Sequence, residues 1–231
     1  MSKKPAEIEL DPPEPRWPAI IAILVIAGLA AAMPESMVVF PRRLEAAVIL
    51  ALAVPATVTH YLGWHRWNVI LGHFLSGVMT LFLVASLVLL IRALPAHTET
   101  PVAMLRSAAC LWVTNILVFA VWYWRLDAGG PVGRDQRLGH PTGAFLFPQM
   151  ALAAENPSTD KPQPEKKNAS KQFPWSPNFI DYLFLAFNTS TAFSPTDSPI
   201  LSRWAKILTM IQSTISLAVV AVLAARAVNI L

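Results

Sequence analysis

Between Asn68 and Ile91 the chain carries no Asp, Glu, Lys or Arg. A run of this composition over 68–94 is long enough to cross a hydrocarbon core of roughly 30 Å, which needs about 20 apolar residues. Comparable runs occupy 17–33, 44–62, 101–124 and 200–231. Hydrophobic residues make up 55% of the chain and charged residues 14%, against about 25% charged in an ordinary soluble domain. The pattern predicts a polytopic membrane protein.

The net charge is +4, from 18 basic and 14 acidic residues. The basic residues sit beside the apolar runs or in one polar loop, where they answer to topology and lipid head groups, so no nucleic-acid partner is expected. Cys110 is the one cysteine and lies inside a run, which excludes an intrachain disulfide.

Four regions follow: a polar tail at 1–16, four spans at 17–124, a polar loop at 125–177, and a C-terminal unit at 178–231. The tail is acidic and proline-rich and reads as disordered or surface-lying. Its composition favours a retained first span over a cleaved signal. Pro55 in the second span predicts a kink. Glu45 marks that span's edge, and the third span is long enough to tilt. Pro101 opens the fourth. Asn115 at mid-depth needs a partner and should face the bundle, either in plain helix packing or behind the C-terminal loop. Trp122, Tyr123 and Trp124 read as an interface belt. The loop should have little regular structure and no packed core. Its apolar patch, Phe145 to Met150, is expected either to lie on the membrane surface or to cap the bundle.

His60, His65 and His73 invite comparison with a metal or haem site, but their spacing brings no carboxylate or cysteine to ligand distance. Interface histidines are the expectation, with His73 bonding to a neighbouring helix. The sequence shows no metalloprotease helix, no nucleophile elbow, no phosphate-cradling glycine loop and no carboxylate pair inside a span. No enzyme activity, cofactor or metal is expected.

In the C-terminal unit, the apolar run 179–187 is too short to cross and should dip in and return. Behind it come Asn188, Thr189, Ser190 and Thr191, read as the start of a non-helical polar stretch reaching Ser194, and then a turn containing Asp197. Such a stretch at membrane depth is tolerated where protein buries it or a wet cavity meets it. Asp181 in the first turn suits the helix macrodipole, and Asp197 the turn before the last helix. The final run places Thr209, Gln212, Ser213 and Ser216 on one helical face, looking onto an aqueous path or making a helix–helix contact.

This order of outer helix, half-helix, Thr/Ser-rich turn with an Asp, and inner helix resembles the pore module of the potassium-channel superfamily over 182–231. The string Phe187-Asn188-Thr189-Ser190-Thr191-Ala192-Phe193-Ser194-Pro195-Thr196-Asp197 lies at the filter position. No glycine occurs between Asn178 and Leu231, whereas that family's filter uses glycine to turn successive carbonyls to the axis. The chain also resembles an uncharacterised bacterial family of multi-span membrane proteins whose C-terminus looks like such a pore without the glycine filter.

The expected fold is therefore an all-α integral membrane protein with five transmembrane helices and one short re-entrant half-helix near the C-terminus. The resemblance implies a multi-pass protein of the bacterial inner membrane. It also implies a channel-like, weakly selective monovalent cation pathway whose pore-loop groups are Asn188, Thr189, Ser190, Thr191 and Asp197. The alternative is a non-conducting accessory or scaffold subunit. The expected partners are the lipid bilayer and copies of the same chain, four if channel-like, or the other subunits of a larger membrane complex.

Overall fold

The computed structural model describes residues 13–96, 100–136, 143–155, 175–193 and 198–228. Eight α-helices occur among them: α1 (Trp17–Ala32), α2 (Arg42–Tyr61), α3 (His65–Ala96), α4 (Pro101–Leu126), α5 (Gly130–Asp135), α6 (Pro148–Glu155), α7 (Phe179–Thr191) and α8 (Arg203–Val228). Four of them, α2, α3, α4 and α8, are long and apolar enough to cross a membrane. The expected fifth, α1, has 16 residues and is about 24 Å long at 1.5 Å per residue, which leaves it below that length.

The helix limits follow local chemistry. Proline in the first turn of α1 and of α4 costs no hydrogen bond there, because those N–H groups have no helical partner. Thr100 caps α4 by accepting from the Ala103 N–H at 3.2 Å. Helix α1 stops at the residues before Pro34. Helix α2 ends where Gly63 takes φ +70°, a left-handed stop that leads straight into α3. Around Pro55 the α2 carbonyls gain side-chain partners. Thr57 donates to the Ala53 carbonyl and Thr59 to the Pro55 carbonyl, each at 2.8 Å, and Asn68 of α3 donates to the Ala56 carbonyl at 2.6 Å. Glu45 is not a rim residue but buried, accepting from the Val39 and Phe40 N–H groups at 2.8 and 3.2 Å. It thereby fixes the chain's entry into α2.

Helix α4 is the central post. Helices α1 and α3 pack on it from one side, α7 and α8 from the other, and α2 closes against α1 and α3. The contacts define two ends of the bundle. At one, the loop end, lie the starts of α1, α3, α7 and α8 and the ends of α2 and α4, shown by Glu14 on Trp124 and by Phe145 against Tyr123, Tyr182 and Trp204. At the other, Arg226 near the end of α8 donates to the Leu94 carbonyl of α3 at 2.9 Å. Helix α1 thus runs the same way as α3 and α8, and opposite to α2 and α4.

At the loop end one expectation is corrected and, for the apolar patch, capping of the bundle is selected over the membrane surface. The segment after α4 is not structureless where it is described. The Ala128, Gly129 and Gly130 backbones take positive φ in succession and turn the chain into α5. Phe145 and Phe147 do not lie on a membrane surface. They are 0% and 4% exposed, and each stacks edge-on against Tyr182, with centroids 6.3 and 5.5 Å away. An isolated antiparallel bridge joins Phe145 to Ile200. The end of the tail is likewise anchored: Glu14 and Arg16 are held by side chains of α4 and α5, while 1–12 lie outside the described residues.

Gly130 has φ +74°, and a Cβ there would sit 2.5 Å from the Arg125 carbonyl oxygen. Gly130→Ala is expected to cost about 1–3 kcal/mol, read as a lower thermal midpoint in detergent. Gly28→Ala in α1, where a Cβ meets nothing within 4 Å, should be neutral or stabilising by up to about 1 kcal/mol.

Candidate functional site

The C-terminal unit is built on α7. Asn178 and Asp181 form a capping box at its start: Asn178 Oδ1 accepts from the Ile180 N–H and Asp181 Oδ2 from the Asn178 N–H, both at 2.8 Å. At the other end the helix continues through Asn188, Thr189, Ser190 and Thr191. The expected non-helical stretch is therefore helical over these residues, because their N–H groups stay in the α7 ladder and the Thr189 and Thr191 hydroxyls bond back to it. Thr189 donates to the Leu185 carbonyl at 2.8 Å and Thr191 to the Phe187 carbonyl at 3.0 Å. Asp197, with 194–196, lies outside the described residues.

Ser190 faces inward and is fully buried, together with Gln212 of α8 and Asn115 of α4. Gln212 Nε2 donates to Ser190 Oγ at 2.8 Å and to the Ala186 carbonyl at 2.7 Å. Its Oε1 accepts from the Tyr123 hydroxyl of α4. Ser216 donates to the Ser190 carbonyl at 2.7 Å. Asn115 Nδ2 points at Ser190 Oγ and the Gln212 carbonyl, at 3.4 and 3.3 Å. Its Oδ1 is buried without a partner. One amide side chain thus joins three helices.

The pairs Ala186–Gln212 and Ser190–Ser216 advance by one turn together, so α7 and α8 run parallel, and both start at the loop end. Of the expected α8 face, Thr209, Gln212 and Ser216 are buried and Ser213 is only half-buried. Thr209 spends its hydroxyl on the Ala205 carbonyl. Asn188 is half-buried and Thr191 exposed, at the end of α7 whose outer face shows Ile180, Phe184 and Phe187.

A second polar cluster closes the loop end. Asp127 is fully buried. It accepts from the Tyr182 hydroxyl at 2.7 Å and from the Ala144 N–H. Arg134 of α5 donates to the Trp124 and Asp127 carbonyls, both at 3.0 Å, and to Glu14 at 2.9 Å, and it lies 5.0 Å over the Tyr182 ring. Trp124 Nε1 donates to Glu14 at 2.6 Å. Arg16 pairs with Asp135 and with Glu14. Burial pushes the Arg16 guanidinium below its ordinary value, against the opposing pull of Asp135 and Glu14.

Sequence reasoning missed Tyr123, Trp124 and the charged cluster. The expected aromatic belt points into the protein: Tyr123 is 0% exposed, and Trp122 donates to Thr80 of α3 at 2.8 Å. A usable signal was the spacing of Asn115, Phe119 and Tyr123 at four-residue intervals on one side of α4. His73 also differs from expectation. It bonds the Val69 carbonyl of its own helix at 2.7 Å and stacks beside Trp122. Among the described residues no three His, Cys, Asp or Glu side chains are grouped to hold a metal ion. No protein-family model, curated protein or solved structure matches this chain.

Replacing Gln212 by Leu strands the Tyr123 hydroxyl and removes both donors to α7. Each buried group left unpaired costs about 1–3 kcal/mol, less where membrane burial lets it find another partner. Gln212→Leu should lower the thermal midpoint in detergent clearly more than Ser213→Ala, at the half-buried position; equal midpoints would contradict the three-helix joint.

Proposed function

We propose that the chain is an integral membrane protein whose α7 is a re-entrant half-helix serving as a packing unit, and that it acts as a non-conducting scaffold or accessory subunit of a membrane assembly. The observation that carries this is the use of the α7 hydroxyls. Thr189 and Thr191 are bonded back to their own helix, and Ser190 holds Gln212 and Ser216. The Leu185 and Phe187 carbonyls accept from Thr189 and Thr191, the Asn188 carbonyl from the Ala192 N–H and the Ser190 carbonyl from Ser216, so α7 leaves few oxygens to ring an ion as a selectivity filter does.

Re-entry is supported by the parallel course of α7 and α8 from the loop end. The 13 residues of α7 reach about 20 Å, short of a roughly 30 Å core. In this arrangement α1 crosses as a short fifth span, since it begins where α4 ends. Arg42, Arg43, Arg92, Arg106 and Arg226 then gather at the end opposite the loop, while Arg16, Arg66, Arg125, Arg134, Arg203 and Lys206 lie at the loop end, so the basic residues single out neither end as cytoplasmic. The expected setting is a cell membrane.

A cation pathway draws support from one observation. The partially negative C-terminal end of α7 carries half-buried Asn188 and exposed Thr191, which copies around an axis would bring together. Flux decides between the two. Folded protein in liposomes should pass monovalent cations no faster than empty liposomes; flux that Thr189→Ala with Thr191→Ala alters would overturn the scaffold role in favour of a weakly selective channel. Topology is tested separately. In a Cys110→Ala background, single cysteines placed within 161–171 and near Ser198, at exposed Pro199, should label from the same side, and labelling from opposite sides would remove the re-entrant geometry.

A further inference from the structure

At the loop end, α1, α2, α3 and the end of α4 enclose a half-open cleft of about 40 Å³, room for roughly three waters or one small polar group. Its inner wall is apolar, with Ala19 and Ile23 of α1, Ala53 of α2 and Leu75 of α3. Its mouth carries Arg16, His60, Asn68 and Arg125. Two of these four have polar partners already: Arg16 has Asp135 and Glu14 and Asn68 has the Ala56 carbonyl, while the His60 ring lies tilted beside that of Tyr61.

Arg125 is different. Among the described residues no carboxylate or carbonyl pairs with its guanidinium, and its Nε is buried without a partner. The group is nonetheless held in place. It lies 5.4 Å from the centre of the Trp124 ring and crosses α3 at Gly72, where a methyl group would fall 1.8 Å from Arg125 Nη1. A positioned cation without its anion, at the polar mouth of an apolar cleft between helices, has the two-part chemistry of a lipid site.

We propose that this cleft anchors an anionic phospholipid, taking only the head-group phosphate on Arg125 between Arg16 and His60, while an acyl chain leaves through the open side and lies over the α1–α2 surface. The apolar wall favours a lipid over a free anion, and the unpaired guanidinium favours an anionic lipid over a zwitterionic one. Gly72 then serves to let the arginine reach the mouth.

The test is thermal unfolding of the full chain in detergent, titrated with phosphatidylglycerol, phosphatidylcholine or inorganic phosphate. Phosphatidylglycerol should bind about fivefold more tightly than phosphatidylcholine, as expected for one basic side chain at a surface, and phosphate alone should give no stabilisation. Arg125→Gln and Gly72→Ala should each erase the difference between the lipids. Ala53→Phe, at a half-buried position on the apolar wall, should weaken both lipids. Equal binding of the two lipids by the unaltered chain overturns the proposal without any variant. So does stabilisation by phosphate alone equal to that by phosphatidylglycerol, or a lipid preference that survives Arg125→Gln.

Discussion

Gln212 is the joint on which the C-terminal half of the protein hangs. Among apolar surroundings a polar side chain must find all its partners within the protein, and a primary amide offers two donors and an acceptor. Gln212 spends them on α7 and α4, donating to Ser190 and the Ala186 carbonyl and accepting from Tyr123. Sliding α7 along α8 by a turn would break these bonds and the Ser216–Ser190 bond together. Apolar packing alone fixes register weakly where every helix face is greasy. The amide supplies what the alanines and leucines around it lack.

The loop end is fixed by a different chemistry. Asp127, Arg134, Glu14, Arg16 and Asp135 bring the tail, the end of α4 and α5 into one network. Tyr182 joins it to the start of α7 through its hydroxyl on Asp127, and its ring meets the Phe145–Phe147 pair. Charges this well hydrogen-bonded hold an arrangement more than they stabilise it, since desolvation offsets much of their attraction. The three successive positive-φ residues at 128–130 depend on that hold.

The four long helices were legible because an apolar run of that length must satisfy its backbone groups internally, and Asn115 and the α8 polar face were legible because a lone amide or hydroxyl in an apolar run has few places to go. Tyr123 was not, since an aromatic triplet at a helix end serves an interface and a core equally well, and only the helix packed opposite decides. Asn188 to Thr191 were misread as a turn. Their residue types disfavour helix interiors, yet threonine hydroxyls bonded back to the carbonyls four residues earlier keep these residues in the last turn at a small cost. The charged cluster was invisible for a plainer reason. Glu14 and Arg134 are separated by 120 residues, and no local pattern announces such a pair.

The order in which these partners are made also matters. Tyr123 and Asn115 leave the ribosome about 90 residues before Gln212, and Ser190 precedes Ser216 by 26. Until α8 has been synthesised, α7 has its capping box but not the amide that anchors it. A chain halted before residue 212 therefore holds α7 by its contacts with α4 and Asp127, without the amide that sets its register. Helix α8 is made after both of its polar partners, so the three-helix joint can form only once residues 212 and 216 have been added.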